Sequence, residues 1–356
     1  MNARKSVAIL SAIFMAVSAG SSQSQGFAGL GSDADGFAVP QQGHALSFPA
    51  DHGAHPDYRI EWWYVTANLQ GEDGKTYGAQ WTLFRSALVP GNSEGFSDPQ
   101  VWIGHAALTT EDQHYFAERL GRGGVGQAGV STAPFEAWID DWKMKGATSS
   151  RGDQLADLTL VANGSDFSYD LNLKANGPLV LQGDRGFSVK SAAGQASYYY
   201  SQPFYRVTGA IKLAGSDVKV TGKAWLDREW SSQPLASNQT GWDWFSIHLE
   251  AGEKLMAFRL RDDKDGFISA NWIAADGETT PLSKDDVRLE LIRRAEAGGR
   301  SIPVGWRIQI PKKSLDITTQ PLNDGSWMAT SPPYWEGPIS VSGSTKGAGY
   351  LEMTGY

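Results

Sequence analysis

The residues best suited to do chemistry lie in one run, Gly222-Lys-Ala-Trp-Leu-Asp-Arg-Glu-Trp-Ser-Ser-Gln233, where Asp227 and Glu229 stand between Trp225 and Trp230. A carboxyl group set among indoles loses its water. Desolvation raises its pKa and leaves it able to give up a proton near neutral pH. Such an acid, placed against a reacting atom and kept from bulk water, is a proton donor. Aromatic faces around it favour nearby positive charge. A buried structural anion is the competing reading, because Arg228 is adjacent and favours the ionised form. Glu61 is a second acid. It shares strand parity with Trp63, so both are expected on one side of the sheet, and an ion pair with Arg59 or Arg85 would explain it equally well.

These residues need strands to position them. Glu61-Trp-Trp-Tyr-Val-Thr-Ala-Asn-Leu69 is aromatic and β-branched, a Gly-containing turn follows, and Tyr77–Arg85, with Trp81, reads as the return strand. Short strands punctuated by Gly, Asn, Asp and Pro continue to the end of the chain. Only Asp285–Arg294 could be a short helix, and it also alternates like a strand. The 14 Trp, 12 Tyr, 14 Phe and 41 Gly among 356 residues suit sheets and tight turns. The second half restarts the pattern: Trp242-Asp-Trp-Phe-Ser-Ile-His-Leu249 lies over Trp62–Leu69 at a constant offset of 180, pairing Tyr64 with Trp244. Val207-Thr-Gly209 and Val220-Thr-Gly222 resemble Val341-Ser-Gly343 and Met353-Thr-Gly355. The expectation is an all-β protein of two similar antiparallel units, 45–225 and 226–356, arising from an internal duplication. A unit of about eight strands that closes removes its edges and has room for one small apolar ligand, the lipocalin plan. Two β-sandwiches with filled cores fit the same pattern.

The ends and composition add limits. Arg4 and Lys5, the apolar run Val7–Val17 and Val17-Ser18-Ala19 read as a signal peptide over 1–19, followed by a disordered lead-in over 20–44. A periplasmic or secreted protein that does not span a membrane after cleavage is expected. The chain has no Cys, and its net charge of −8 speaks against nucleic-acid binding. His52 and His55, with Asp51 and Asp57, could bind zinc, but a hydrogen-bonded turn is the better reading, and neither metal nor cofactor is expected. No nucleophile elbow or phosphate-cradling loop is present.

Phe48-Pro-Ala-Asp-His-Gly-Ala-His-Pro-Asp-Tyr-Arg-Ile-Glu-Trp-Trp-Tyr64, Tyr198-Tyr-Tyr-Ser-Gln-Pro203, Leu226–Trp230, Tyr334-Trp-Glu-Gly337 and Gly349–Tyr356 together resemble the secreted AttH-type proteins, which are related to the carotenoid 1,2-hydratases (hydroxyneurosporene synthases). The resemblance covers nearly all of the chain after the lead-in and implies two packed lipocalin-like barrels around an apolar pocket. In the hydratases an aromatic, one residue and an Asp form the proposed acid site. The resemblance therefore assigns catalysis to Asp227 with Trp225 and, upstream, Tyr200. Glu61, Trp63, Trp81, Trp230 and Trp244 are expected to line the ligand site. Where the hydratases continue His-Asn-Trp-Gly, this chain has Arg228-Glu229-Trp230-Ser231. The expected function is binding of a polyene or lipid-like molecule, with hydration or isomerisation by Asp227. The alternative is a non-catalytic periplasmic carrier working with an envelope ABC transporter.

Overall fold

The computed structural model describes residues 34–147, 153–213, 215–233 and 235–356. The signal peptide expected over 1–19 lies outside the described residues, as does most of the lead-in. Residues 34–44 depart from the disorder expected there, because they find partners on the body. Gln41 N–H donates to the Tyr198 hydroxyl at 2.7 Å, and Ala38 N–H donates to the Asp57 carbonyl at 2.9 Å.

Every strand pairing among the described residues is antiparallel. The first sheet holds β1 (Ile60–Gly71), β2 (Thr76–Ala87), β3 (Gln100–Thr109), β4 (His114–Arg122), β5 (Ala128–Thr132), β6 (Phe135–Ile139), β7 (Trp142–Gly146), β8 (Asp157–Asn163), β9 (Phe167–Ala175), β10 (Val180–Leu181), β11 (Phe187–Val189), β12 (Ala196–Leu213) and β13 (Ser216–Ser231). The second holds β14 (Gly241–Leu249), β15 (Lys254–Arg261), β16 (Phe267–Ile273), β17 (Thr279–Ser283), β18 (Arg288–Ala297), β19 (Arg300–Ile310), β20 (Leu315–Pro321), β21 (Trp327–Met328), β22 (Tyr334–Gly343) and β23 (Gly347–Thr354). The ambiguous 285–294 segment is thus mostly strand. Because β13 runs through Trp225 to Ser231, the first sheet ends six residues later than the division at 225.

The sheet orders show the repeat. The first runs β4-β3-β2-β1-β13-β12-β9-β8-β7 before β6 and β5 extend it, and the second runs β17-β16-β15-β14-β23-β22-β20-β19-β18. Short β10 and β11 pair with β12 just as β21 pairs with β22. Both units are lipocalin-like. The first is a nearly closed barrel, and the second a half-barrel. Closure of the first depends on Gly104 and Gly121, where a Cβ would meet the Ile139 side chain at 2.7 and 3.1 Å. Without side chains there, β6 packs across β3 and β4.

Three large apolar cores result, beside a small cluster of Ala107, Met328 and Tyr334. One fills the first barrel around Trp63, Trp81, Trp142 and Trp230. A second fills the half-barrel around Phe245, Trp306 and Trp335. The third lies between the sheets and holds Tyr64, Tyr199, Trp225, Trp244, Phe258 and Tyr350. A lone barrel would turn those six side chains to water. Burying each contributes on the order of 4 kcal/mol gross, so docking of the units is a large part of what holds the molecule together. It also explains why β1 and the end of β13 are buried on both faces.

Candidate active site between the two sheets

Strand alternation sorts the candidate residues into two sets. On β13, Trp225, Asp227 and Glu229 face the second sheet, whereas Leu226, Arg228 and Trp230 face the first barrel's interior. The register aligns Tyr64 on β1, Asp227 on β13 and Ser201 on β12, and beside them Trp62, Glu229 and Tyr199. This outward layer walls a cavity of about 160 Å³ between the units. Trp242, Trp244, Phe258, Tyr334 and Glu352 wall it from the other side.

Asp227 is 2% exposed. The Tyr199 hydroxyl donates to its Oδ2 at 2.7 Å, and the Ser201 hydroxyl and Trp225 Nε1 donate to its Oδ1 at 2.5 and 2.6 Å. Trp244 Nε1 reaches across from the second sheet to the Tyr199 hydroxyl at 3.2 Å. Burial pushes the Asp227 carboxyl up to about 7, against the pull of those donors and with help from the nearby Glu229 charge. Glu229 is paired with Lys190 at 2.7 Å, and the Lys190 ammonium lies 4.4 Å from the Phe258 ring centroid. Across the cavity, Trp242 Nε1 donates to Glu352 at 2.6 Å. Burial likewise pushes Glu352 up to about 7, with Asp227 and Glu229 adding like charge. Behind it, burial and the Glu352 charge push Glu336 well above the usual carboxylate range, although the Tyr64 hydroxyl donates to it at 2.5 Å. His105 also lines the cavity, and burial lowers it to about 3, so the imidazole is neutral.

Of the residues expected at the site, Asp227 and Trp244 line this cavity, and Trp225 supports Asp227 from the surrounding core. The others belong to the barrel interior. Tyr200 is one residue out of phase. Its hydroxyl meets His52 Nδ1 at 2.7 Å, and Tyr199 takes the place assigned to it. Trp63, Trp81 and Trp230 are packed core, with His55 stacked on Trp230 at 4.0 Å. Glu61 lies between Arg85 and Arg228, the latter at 2.6 Å. Burial alone would raise Glu61, but the two guanidiniums hold it well below the usual range. Arg228 therefore does not ionise Asp227, as adjacency suggested. It points the opposite way, its guanidinium 3.7 Å from the Trp63 ring centroid. His55 is used by Glu61 and Asp51, at 3.0 and 3.2 Å.

Glu352 was not expected at all, and a signal for it exists. Tyr64 pairs with Asp227 and its repeat Trp244 pairs with Glu352, so Asp227 and Glu352 occupy equivalent places. Likewise Gly222 is equivalent to Gly347, Trp225 to Tyr350, Ser201 to Glu336 and Tyr199 to Tyr334. Ala224-Trp-Leu-Asp227 therefore repeats as Gly349-Tyr-Leu-Glu352. The expected match of Gly222 with Gly355 is out of register by eight residues, since Gly347 holds that place. The match of Val207–Gly209 with Val341–Gly343 agrees with the pairing of Val207 to Gly222 and Val341 to Gly347.

The fold and site define a two-unit lipocalin-like protein with an acid-bearing, largely aromatic cavity between its units. The chain belongs to the AttH-like family, whose model matches residues 39–356. It is similar to an AttH protein from Nitrosomonas europaea, at 36% identity and TM-score 0.80 over 90% of this chain and 99% of that one. Kievitone hydratase from Nectria haematococca shares the fold at 15% identity and TM-score 0.67, covering 89% of this chain and 95% of that one. CghA, solved with Sch210972, shares it at 15% identity and TM-score 0.53, covering 91% and 97%. No functionally curated protein matches the chain.

Proposed function

We propose that this protein binds the apolar, unsaturated part of a polyene or lipid-like molecule between its two sheets and that Asp227 protonates it, giving hydration or isomerisation. The observation that carries this reading is a buried carboxyl group, facing a cavity walled by indole and phenol rings, that burial pushes up to about 7. In the step, the O–H bond of Asp227 breaks as a C–H bond forms at one alkene carbon, and the π electrons leave a cation at its neighbour. Water adds to that cation, and its surplus proton returns to the Asp227 carboxylate. Loss of a proton from an adjacent carbon gives isomerisation instead. A cavity of about 150 Å³ takes a benzene, so the cavity of about 160 Å³ fits the end of an isoprenoid rather than a whole carotenoid. That kievitone hydratase has this fold is in keeping with the reading. The Arg4-Lys5 start and apolar run motivate export to the periplasm, which N-terminal sequencing of the mature protein tests.

A carrier reading is favoured by one observation: both oxygens of Asp227 are already engaged by hydrogen-bond donors, as in a structural anion. The two separate on incubating the purified protein with a panel of isoprenoid polyenes and unsaturated fatty alcohols in oxygen-18 water. Label incorporation or double-bond migration that disappears in Asp227→Asn supports catalysis. Retention of the panel members unchanged supports the carrier, and equal turnover by Asp227→Asn removes Asp227 from the chemistry.

A further inference from the structure

The ionisable groups facing the cavity are mostly acids. β13 supplies the carboxyl groups of Asp227 and Glu229, and β23 that of Glu352, with Glu336 of β22 directly behind. The cation among them is Lys190, which Glu229 already pairs at 2.7 Å. Ionised together, the lining acids outnumber Lys190 by three to one. His105 adds no charge, since its imidazole is neutral.

A second observation points the same way. His105 is 1% exposed, and its Nε2 has no hydrogen-bond partner. Its Nδ1 meets the Tyr334 hydroxyl at 3.0 Å. The ring lines the cavity, and its Nε2 is buried within the wall. Glu336 Oε2 is also buried without a partner. The cavity thus offers carboxyl oxygens and ring faces, and the ammonium in its lining is already paired.

Resting on the reading of this cavity as the ligand site, we infer that its ligand class is an apolar organic cation, seated between Asp227 and Glu352 with Trp62, Trp242 and Trp244 around it. Aromatic faces attract such a cation, and carboxylates balance it where water is excluded. Neutral apolar molecules forgo both terms, and anions oppose them. A carbocation formed by protonation is a transient member of the same class, so one arrangement serves binding and the proposed chemistry. Entry of a cation favours the ionised acids and therefore expels protons.

The test uses three probes matched in size to the cavity: benzylammonium, benzyl alcohol and benzoate, titrated calorimetrically into the full chain at pH 8 and pH 5.5 in buffers of different ionisation enthalpy. The expected result is benzylammonium binding about tenfold or more tighter than benzyl alcohol at pH 8, with benzoate weakest. The preference shrinks at pH 5.5 as the acids are protonated, and at pH 7 cation uptake releases protons. In Asp227→Asn/Glu352→Gln the cation and the alcohol bind alike. Equal or better binding of the alcohol by the wild type overturns the inference and leaves the apolar cavity standing. Binding of none of the three overturns the cavity reading with it. The pH dependence belongs to the wild type and does not rely on the variant folding.

Discussion

The two halves of the cavity wall are built on one strand pattern and surround their acids with different neighbours. The first half places Ser201, Tyr199 and Trp225 around Asp227, so a single acid is surrounded by donors. In the second half the place of Ser201 is taken by Glu336, and a second carboxyl crowds Glu352 where the first half has a hydroxyl. The first half's other acid, Glu229, has Lys190, while its counterpart in the second half is Thr354. One half therefore holds an acid supported by hydroxyl and indole donors beside a Glu229 paired to Lys190, and the other a neighbouring pair of carboxyls. The difference teaches that the acid's neighbours, more than its burial, divide the roles. Asp227 is suited to donate one proton and take it back, whereas the Glu352 charge opposes ionisation of Glu336 beside it.

The largest expected effect comes from breaking the contrast between the faces of β13. Arg228→Ala leaves Glu61 with one guanidinium, Arg85, beside His55 and removes a cation packed on Trp63, so about 3–5 kcal/mol of stability is lost. Chemical denaturation measures it. A loss below about 1 kcal/mol would mean that the barrel interior does not depend on the ion network. Its neighbour Asp227→Asn should instead fold normally and lose turnover by a factor of about 10² to 10⁴, the usual worth of a positioned acid. Adjacent residues thus separate stability from chemistry, because a strand sends them to opposite faces.

How much of this the chain disclosed follows from the same alternation. The aromatic strand, its repeat at 242–249, the glycine turns and the Trp225-x-Asp227 pair were readable because they are local. Which face of β13 borders the cavity was not. In a lone lipocalin the ligand lies inside, so Trp63, Trp81, Trp230, Glu61 and Tyr200, which share the inward face, were the natural lining. Docking of a second unit against the outer wall is a property of tertiary packing, and it moves the site by one residue along each strand, from Tyr200 to Tyr199. Glu352 was hidden by matching Thr-Gly at 221–222 with Thr-Gly at 354–355. Cross-strand pairing sets Gly347 there instead, and only then does Gly-Tyr-Leu-Glu fall on Ala-Trp-Leu-Asp.

The pH dependence of stability probes the comparison next. Burial raises Asp227 from 3.8 and Glu352 from 4.5, each to about 7. The unfolded chain then gives up these protons first. Their contribution to stability is complete below about pH 4 and is lost as pH rises through 7. Each group contributes a slope of up to about 1.4 kcal/mol per pH unit in that window. Asp227→Asn should remove its share of the slope. It should also move the Glu352 titration downward, since the Asp227 charge is one of the causes of that elevation. Carboxyl infrared bands followed across pH 4–8 measure both, and an unmoved Glu352 band would mean the halves are not coupled.

The smallest effect sharpens the comparison most finely. Tyr199 donates to Asp227 and accepts from Trp244, while its counterpart Tyr334 meets His105 and lies by Glu336. Tyr199→Phe removes a donor that pulls the Asp227 carboxyl down. The acid should therefore titrate higher, and the alkaline limb of the pH–rate profile should move upward by about one unit, the worth of one hydrogen bond to a charged group. Turnover at low pH, where Asp227 is protonated in both proteins, should change less. Tyr334→Phe acts first on Glu336 and reaches Asp227 only through space, so it should move the same limb by a smaller amount. Equal shifts from the two variants would show that the cavity titrates as one pooled set of carboxyls, and the assignment of a separate donor to the first half would have to be given up.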